Sequence, residues 1–402
     1  MRILFVTFSD IGICSSSNIR NVSLIKGLLD TGHSVDIISY KTNNKAQVQD
    51  ETFRPVTDRC RVFEIFGATA SERVSAGLLA KGTKNIKIRL YSLLRKLYYA
   101  LEPVDSMRRT ALTLNIEGME LGEYDLMISS SNPYSVHILA ERIKNHYFKA
   151  GITWVQYWGD ALYFDTLIRH PVFPGRLKKA EYNLIRNCDA VFYTNAVILE
   201  KQKQLFKDMA DKMTYIETPY AFAKKSEKEK FTYQVGYFGS FSTVVRDIMP
   251  LYTALSEADY RSVIIGNGDV EITPTATLEV KPRATVSVVR EYEDDTRILA
   301  CICNKLPANR EETGLIPGKA YHYGATDKTV LVIGASPDVE GFLKKYNRFI
   351  FVPNDSQKIK EAIDRLLKEP FRREKPIEEV DPINAAAKVI ETVNSIKQRC
   401  RE

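Results

Sequence analysis

The stretch VGYFGSFSTVVR, residues 235–246, joins a short apolar run to a glycine turn and a polar loop. The next twelve residues, DIMPLYTALSEA, carry their apolar side chains at helical spacing. A strand, a glycine turn and a helix in succession direct backbone N–H groups and a helix N-terminus toward an anion. Gly239 and Ser240 occupy the turn, and Arg246 stands near the helix start, where a guanidinium can bind phosphate with two hydrogen bonds. The alternative is a tight turn with a solvated arginine, because one glycine turn is a weak signal.

Length and composition set the class of protein. A chain of 402 residues predicts two or three domains. Its 44% hydrophobic and 27% charged residues are typical of a soluble globular protein, and no run of 18 apolar residues predicts a membrane-spanning helix. The N-terminus MRILFVTFSD has the pattern of a buried strand rather than a signal peptide, so we expect a cytoplasmic protein.

The cysteines and histidines favour neither a disulfide framework nor a metal centre. None of the six cysteines forms a CxxC pair, and the five histidines have no metal-ligand spacing. Reduced, mostly buried thiols are the natural interpretation. We therefore expect no metal and no cofactor.

The net charge of +7 is concentrated in one stretch. Residues 81–110 hold eight basic and two acidic residues, a local excess of six positive charges. Within them, residues 85–101 alternate apolar and basic positions at helical spacing. This segment is either a core helix with a solvated basic face or an interfacial helix on an anionic membrane. A local basic stretch, rather than a basic protein, does not indicate nucleic-acid binding.

Short apolar runs recur along the first half of the chain, at residues 2–8, 34–40, 61–66, 124–129, 152–157 and 190–193. A helical pattern at residues 20–30 joins the first two runs, so the chain opens with a βαβ unit of a doubly wound sheet. The first loop, residues 9–18, lacks GxGxxG, which argues against a nicotinamide-dependent dehydrogenase.

Polar residues collect where these strands end, and open α/β sheets bind ligands at that edge. Ser15, Ser16 and Asn18 on the first loop are candidates to bind a ligand such as a phosphate, or else they are turn residues. Asp160 is a candidate to contact a ligand at this edge, or else it is a helix N-cap. His137 follows the SSSNP loop and is a candidate to contact a ligand, or else it has a structural role in the core.

The pattern restarts after residues 224–230, KKSEKEK, which are charged and poor in apolar residues and predict a linker. Further apolar runs lie at residues 235–238, 262–265, 298–303, 329–333 and 348–352. They predict a second sheet of the same kind. A cleft between two such domains is a usual place for a ligand.

Four segments of the chain resemble the motifs of one family. Residues 124–140, YDLMISSSNPYSVHILA, resemble a strand followed by SSSPPxSxH. Residues 152–163, ITWVQYWGDALY, resemble PWxxDFRDPW. Residues 235–255 resemble YxGxLxxxRxPxxLxxAL, and residues 316–334, IPGKAYHYGATDKTVLVIG, resemble IPxKLFEYLAxGKPVLA. The chain thus resembles the GT-B glycosyltransferases, and within them the family-4 retaining enzymes of the bacterial surface-polysaccharide branch that includes fucosamine transferases.

The resemblance implies two Rossmann-like domains facing a central cleft. Residues 1–222 would form the acceptor domain and residues 231–382 the donor domain, with a C-terminal helix at 383–402 packing back on the first. The enzyme would move a sugar from a nucleotide sugar to a lipid-linked saccharide of capsule or O-antigen, on the inner face of the plasma membrane. It would retain the anomeric configuration and need no metal.

The resemblance also implies the site residues. Arg246 and Asp160 would be catalytic, with Asp160 orienting the donor sugar or the acceptor hydroxyl. The donor would contact Gly239, Ser240, Arg246, Gly266, Pro317, Lys319 and His322. The acceptor would contact Ser15, Ser16, Asn18, Asn132 and His137.

This sequence departs from the family pattern at four positions. Ser240 replaces an arginine of many relatives, and Arg246 takes the place of their lysine. His322 replaces the ribose-binding glutamate, and Gly314 replaces the first acid of the EX7E pair. Two alternatives therefore stay open: a catalytically impaired binding module, and a nucleotide-sugar hydrolase or epimerase of the same fold.

Overall fold

The computed structural model describes residues 1–41, 49–67, 102, 104–149, 151–164, 174–223, 228–305 and 316–399. The basic segment 85–101 and Gly314 lie outside the described residues, as does part of the linker at 224–230. The chain divides into two compact units. The first comprises Met1–Ile216 together with Ala386–Glu402, and the second is Glu217–Ala385.

The first unit is built on a parallel sheet that has seven strands among the described residues, in the order β3-β2-β1-β4-β5-β6-β7. The strands are β1 Arg2–Thr7, β2 Ser34–Lys41, β3 Arg61–Phe66, β4 Leu126–Ser130, β5 Thr153–Trp158, β6 Ala190–Tyr193 and β7 Met213–Tyr215. In the central register, Phe5 pairs with Ile37 on one side and Ile128 on the other.

Helices flank this sheet: α1 Ser16–Asp30, α2 Arg54–Thr57, α3 Arg108–Thr113, α4 Val136–Ile143, α5 Pro174–Ile185 and α6 Ala196–Leu205. β1, β4 and β5 are buried over almost their whole length. Continuous burial explains why these strands are unbroken apolar runs in the sequence instead of alternating ones.

The second unit repeats the plan with six strands in the described part of the chain, in the order β10-β9-β8-β11-β12-β13. The strands are β8 Tyr233–Phe238, β9 Ser262–Ile265, β10 Leu278–Lys281, β11 Thr296–Ile302, β12 Thr329–Ile333 and β13 Phe349–Val352. The helices are α7 Met249–Ser256, α8 Val286–Asp294, α9 Gly318–Gly324, α10 Pro337–Leu343 and α11 Ser356–Lys368. Apolar clusters cover both faces: Ile298, Ala300 and Ile302 belong to one, and Leu299 and Cys301 to the other.

The last helix, α12 at Pro382–Arg399, belongs to the first unit from Ala386 onward. Val389 and Val393 on it are buried, and Lys388 Nζ lies 5.2 Å from the centre of the Tyr215 ring. No helix in the described part of the chain is long and apolar enough to cross a membrane.

The prediction of two Rossmann-like, doubly wound parallel sheets is confirmed. In each sheet the strand order reverses once, between β1 and β4 in the first and between β8 and β11 in the second. Loops leaving the carboxyl ends of these strands diverge and open a crevice, the usual ligand position in open α/β sheets. The two switch points are therefore where candidate site residues should be sought.

Candidate functional site

The glycine turn after β8 packs directly on the loop after β9. The N–H of Gly239 donates to the carbonyl of Ile265 over 2.8 Å. A Cβ on Gly266 would lie 1.9 Å from the carbonyl oxygen of Gly239, so position 266 cannot carry a side chain without moving the turn. Gly239 and Gly266 thus bring two backbones together at the carboxyl edge of the second sheet.

A small hairpin follows the turn and carries Arg246. Ser242 and Arg246 exchange backbone hydrogen bonds of 3.0 and 3.1 Å. Asp269, from the loop after β9, accepts from the Ser242 hydroxyl over 2.9 Å and from the backbone N–H of Thr243 over 2.8 Å. The hairpin ends before α7 begins at Met249, so Arg246 belongs to this braced loop rather than to the first turn of the helix.

A second brace comes from the loop after β11. Lys305 Nζ donates to the carbonyl of Thr243 over 2.9 Å and forms an ion pair of 2.9 Å with Asp247. The Nε–H of Arg246 donates to Oδ1 of Asn304 over 2.8 Å. Because Asn304 follows β11 and Arg246 follows β8, this hydrogen bond spans the switch point of the second sheet.

Arg246 is half-buried, and its terminal nitrogens have no hydrogen-bond acceptor among the described residues. Nor does any described carboxylate form an ion pair with it. Its head group is held in place at Nε while both terminal nitrogens stay available, which is the arrangement that bidentate phosphate binding requires.

Lys319, in α9, supplies a second positive charge at the same turn. A Cβ placed on Gly239 would lie 2.5 Å from Cε and 3.5 Å from Nζ of Lys319, so the lysine side chain crosses the turn at that glycine. Burial raises the pKa of the Cys301 thiol on β11 to about 11, while Lys319 and Arg246 both oppose that rise. The two cations therefore act on one region at the end of β11.

His322 lies one helical turn after Lys319 and is packed rather than exposed. Its ring stacks on Tyr220, with centroids 4.4 Å apart and planes 19° apart. Burial and the Lys319 charge lower its pKa to about 3, so the imidazole is neutral at physiological pH. Pro317, which is buried, directly precedes the first residue of the same helix. The donor roles of His322 and Pro317 stay predictions.

The loop after β1 is held together by two of the predicted acceptor residues. Ser15 is the N-cap of α1 and accepts from the backbone N–H of Asn18 over 3.1 Å. Asn18 is fully buried and donates to the carbonyls of Asp10 and Ile13 over 2.7 and 2.8 Å. These are the contacts of turn residues. Ser16, the first residue of α1, is exposed.

The loops after β4 and β5 bring two predicted residues together, since Nδ2 of Asn132 lies 3.4 Å from Oδ2 of Asp160. Residues 162–164 form a turn and not a helix, so Asp160 is not a helix N-cap there. Glu181 on α5 accepts from the backbone N–H groups of Leu162 and Tyr163 over 3.0 and 2.7 Å. Burial raises the pKa of Glu181 to about 7. Sequence reasoning missed this carboxylate, which holds the segment that follows Asp160.

His137, the remaining predicted acceptor residue, lies in the core. It is 1% exposed, its ring stacks on Trp158 at a centroid distance of 4.7 Å, and Nδ1 lies 2.9 Å from the Ser129 hydroxyl. Burial lowers its pKa to about 3. These contacts match the structural alternative, and an acceptor role stays a prediction.

No group of three or more His, Cys, Asp or Glu side chains in the described ranges is placed to hold a metal ion. No protein-family model matches the sequence, and a search of curated proteins finds no match.

Solved structures resemble the chain over its whole length. HepE of Anabaena, solved with UDP and glucose, aligns with 100% of this chain and 98% of its own at a TM-score of 0.51 and 14% identity. A glycosyltransferase of Rickettsia africae covers 99% and 96% of the two chains, with a TM-score of 0.51 and 15% identity. An alpha-glucosyltransferase in complex with UDP and DNA covers 99% and 100%, with a TM-score of 0.54 and 12% identity.

The chain has the GT-B fold. At 12–15% identity the comparison reaches the fold and no further, so membership of family 4 and of its fucosamine transferase branch stays a prediction. Within this GT-B chain, the described switch point of the second sheet gathers Gly239, Arg246, Gly266 and Lys319, all expected from the sequence. It also adds Asn304, which the sequence analysis did not name.

Proposed function

We propose that the protein is a glycosyltransferase that moves a sugar from a nucleotide-sugar donor to a saccharide acceptor. The GT-B fold supports this, since HepE and the alpha-glucosyltransferase were both solved with UDP. The geometry of the second sheet supports a nucleotide diphosphate independently, because a glycine turn and two cations meet at its switch point.

One observation carries the proposal. Arg246 is fixed at Nε by Asn304 across the switch point, and its terminal nitrogens face no acceptor in the described chain. A guanidinium held in this way is organised in advance for an anion. In the transfer reaction, Arg246 would stabilise the negative charge that develops on the leaving diphosphate, and Lys319 would add to that field.

The proposed chemistry is retaining and independent of metal. The bond between the anomeric carbon and the phosphate oxygen breaks, and a bond from that carbon to the acceptor oxygen forms on the same face of the sugar. The departing phosphate oxygen takes the acceptor proton, so no dedicated base is assigned. Asp160, with Asn132 beside it, would orient the donor sugar or the acceptor hydroxyl. Arg246 and Lys319 supply the positive charge that a divalent ion provides in other transferases.

For the acceptor we propose a lipid-linked saccharide of bacterial surface polysaccharide, either capsule or O-antigen. The support is the excess of six positive charges in residues 81–110 and the amphipathic pattern of residues 85–101. Such a segment would bind the anionic inner face of the plasma membrane, where a lipid-linked acceptor lies.

Binding without turnover is the second candidate function. His322 stands where related transferases have a ribose-binding glutamate, and a neutral imidazole has only one acceptor nitrogen. A nucleotide-sugar binding module would bind the donor through Arg246 and Lys319 without transferring its sugar.

A nucleotide-sugar panel tests both candidates. The Tm of the wild type would be measured with UDP-, GDP-, ADP- and dTDP-sugars. The donors that raise Tm would then be assayed for release of the nucleoside diphosphate, with and without saccharide acceptors. We expect at least one donor to raise Tm and to be turned over in the presence of EDTA. Stabilisation without release would favour the binding module, and no stabilisation by any donor would contradict both.

A further inference from the structure

The switch point of the first sheet contains a buried cation that the sequence analysis did not single out. Arg20, in the second turn of α1, is 9% exposed. Its Nη2 donates to the carbonyl of Ser131, directly after β4, and its Cζ lies 5.0 Å from the centre of the Tyr157 ring on β5. The guanidinium thus lies at the carboxyl ends of the central strands.

Arg20 has no counter-ion in the part of the chain that the structure describes. None of the described carboxylates forms an ion pair with it, and its Nε is buried without a hydrogen-bond partner. Burying an unpaired charge is costly, and a contact with an aromatic ring offsets only part of that cost. An arginine in this state is most stable when an anion comes to it.

Three polar groups near Arg20 are also buried without a hydrogen-bond partner in the described part of the chain. Oγ of Ser131, the phenol oxygen of Tyr157 and Nδ2 of Asn21 are each buried without a partner among the described residues. Asn21 adjoins Arg20 on α1, and its Oδ1 already accepts from the Ser130 hydroxyl over 2.6 Å. Buried polar groups are normally satisfied, so a cluster with several unused donors beside a cation indicates an oxygen-rich ligand.

The guanidinium also packs closely against Gly159. A Cβ on Gly159 would lie 1.8 Å from Nη1 of Arg20, so a side chain at position 159 would displace the head group from where it lies. Gly159 precedes Asp160, and Ser131 precedes Asn132. Arg20 therefore touches both loops that carry the paired residues Asn132 and Asp160.

We propose that Arg20 and the hydroxyl of Ser131 form a phosphate-binding subsite in the first domain, one that receives a diphosphate group of a substrate. This inference rests on the proposed function. The diphosphate belongs either to a lipid-linked acceptor or to the nucleotide-sugar donor, and both present the same chemistry to the subsite.

Inorganic pyrophosphate tests the subsite directly. Binding would be measured by calorimetry in the full-length Arg246→Ala protein, so that the donor turn contributes little. In that background we compare Arg20→Met, Ser131→Ala and the matched control Arg142→Met. Arg142 also donates to backbone carbonyls, those of Ala111 and Leu114, but at a distance from the switch point.

We expect Arg20→Met to weaken pyrophosphate binding at least ten-fold, Ser131→Ala to weaken it several-fold, and Arg142→Met to leave it unchanged. Ser131→Ala protects the test against misfolding, because the hydroxyl makes no hydrogen bond within the described protein and its loss should not destabilise the fold. The subsite would be overturned if both Arg20→Met and Ser131→Ala bound pyrophosphate with unchanged affinity. If Arg20→Met does not fold, unchanged affinity in Ser131→Ala alone would overturn it. Arg20 would then have only a structural role.

The steady-state kinetics of Arg20→Met and Ser131→Ala, each in an otherwise wild-type protein, then identify the substrate that supplies the phosphate. A rise in KM for a polyprenyl-diphosphate-linked acceptor, with donor KM unchanged, assigns the subsite to the acceptor, and the reverse result assigns it to the donor. The two proposals can fail separately. Pyrophosphate binding that depends on Arg20 in a protein without transferase activity would contradict only the proposed function. Sugar transfer by a protein whose pyrophosphate affinity does not depend on Arg20 would contradict only the subsite.

Discussion

Arg246 and Asn304 are joined by a hydrogen bond of 2.8 Å that crosses the point where the strand order of the second sheet reverses. The bond connects loops from two strands that are adjacent in the sheet but far apart in the chain. It fixes the guanidinium through Nε, the one nitrogen that a bidentate contact through the two terminal nitrogens does not use.

Replacing Asn304 should therefore reduce transfer, because Asn304 positions Arg246 and acts on the substrate only through it. A hydrogen bond to a charged group contributes about 1.5–3 kcal/mol, so we expect Asn304→Ala to lower kcat/KM by about 10- to 100-fold. Asn304→Asp should be worse, because its carboxylate would neutralise Arg246. Asn187→Ala is the control, since Asn187 is exposed and its side chain bonds only Glu141 among the residues that the structure describes. Equal activities for Asn304→Ala and Asn187→Ala would contradict the positioning role.

Gly266 should be intolerant of any side chain. Its Cβ would lie 1.9 Å from the backbone oxygen of Gly239, and a backbone atom cannot move aside as a side chain can. We expect Gly266→Ala to destabilise the protein by about 1–3 kcal/mol in urea unfolding and to weaken donor binding. Gly175→Ala is the matched control, because a Cβ there meets nothing within 4 Å. A variant at position 266 as stable as this control would show that the two loops do not pack as described.

His322 should make the second domain sensitive to acid. Its pKa is about 3 in the folded protein, whereas an unfolded histidine titrates near 6.5. Between these values the unfolded state binds a proton and the folded state does not, so stability falls as pH falls, by about 1.4 kcal/mol per pH unit. His322→Phe keeps the ring stack on Tyr220 and removes the titration. The free energy of unfolding, measured from pH 6.5 to 4.5, should have a shallower pH dependence in this variant. Identical slopes would mean that His322 is exposed to solvent.

The basic segment should hold the protein on anionic membranes. Each lysine or arginine near such a surface contributes about 1 kcal/mol, and the attraction is screened within about 8 Å at physiological ionic strength. We expect co-sedimentation with phosphatidylglycerol vesicles that high salt reverses. Changing Lys84, Lys87, Arg89, Arg95 and Lys96 to glutamine should abolish it while the circular dichroism spectrum is unchanged. Wild-type protein that never sediments with the vesicles would count against a membrane acceptor.

The fold was predictable because its signal is local. Buried parallel strands such as β1 and β8 are unbroken apolar runs, and the glycine turn that follows β8 is visible in the sequence itself. The missed strands β7 and β10 are short edge strands of three and four residues, too brief to show a pattern.

The site was predictable only where a motif carried it. Arg246 and Lys319 belong to recognisable segments, whereas their partners depend on contacts distant in sequence. Asn304 is 58 residues from Arg246, and Ser131 is 111 residues from Arg20. Arg20 lies on a helix of mixed polar and apolar residues and has the sequence pattern of an outward-facing charge, and only the assembled sheet shows it buried. His137 was a candidate because it follows a polar loop, but packing against Trp158 places it in the core.

The most direct test of the account is the turnover of the best nucleotide-sugar donor by Arg246→Ala and Arg246→Lys. Arg372→Ala, an exposed arginine in the same domain, serves as the control. We expect Arg246→Ala to lose at least ten-fold in kcat/KM at unchanged Tm, Arg246→Lys to fall between it and the wild type, and Arg372→Ala to match the wild type. Near wild-type kcat/KM in a folded Arg246→Ala protein would contradict the assignment of this switch point to the donor diphosphate.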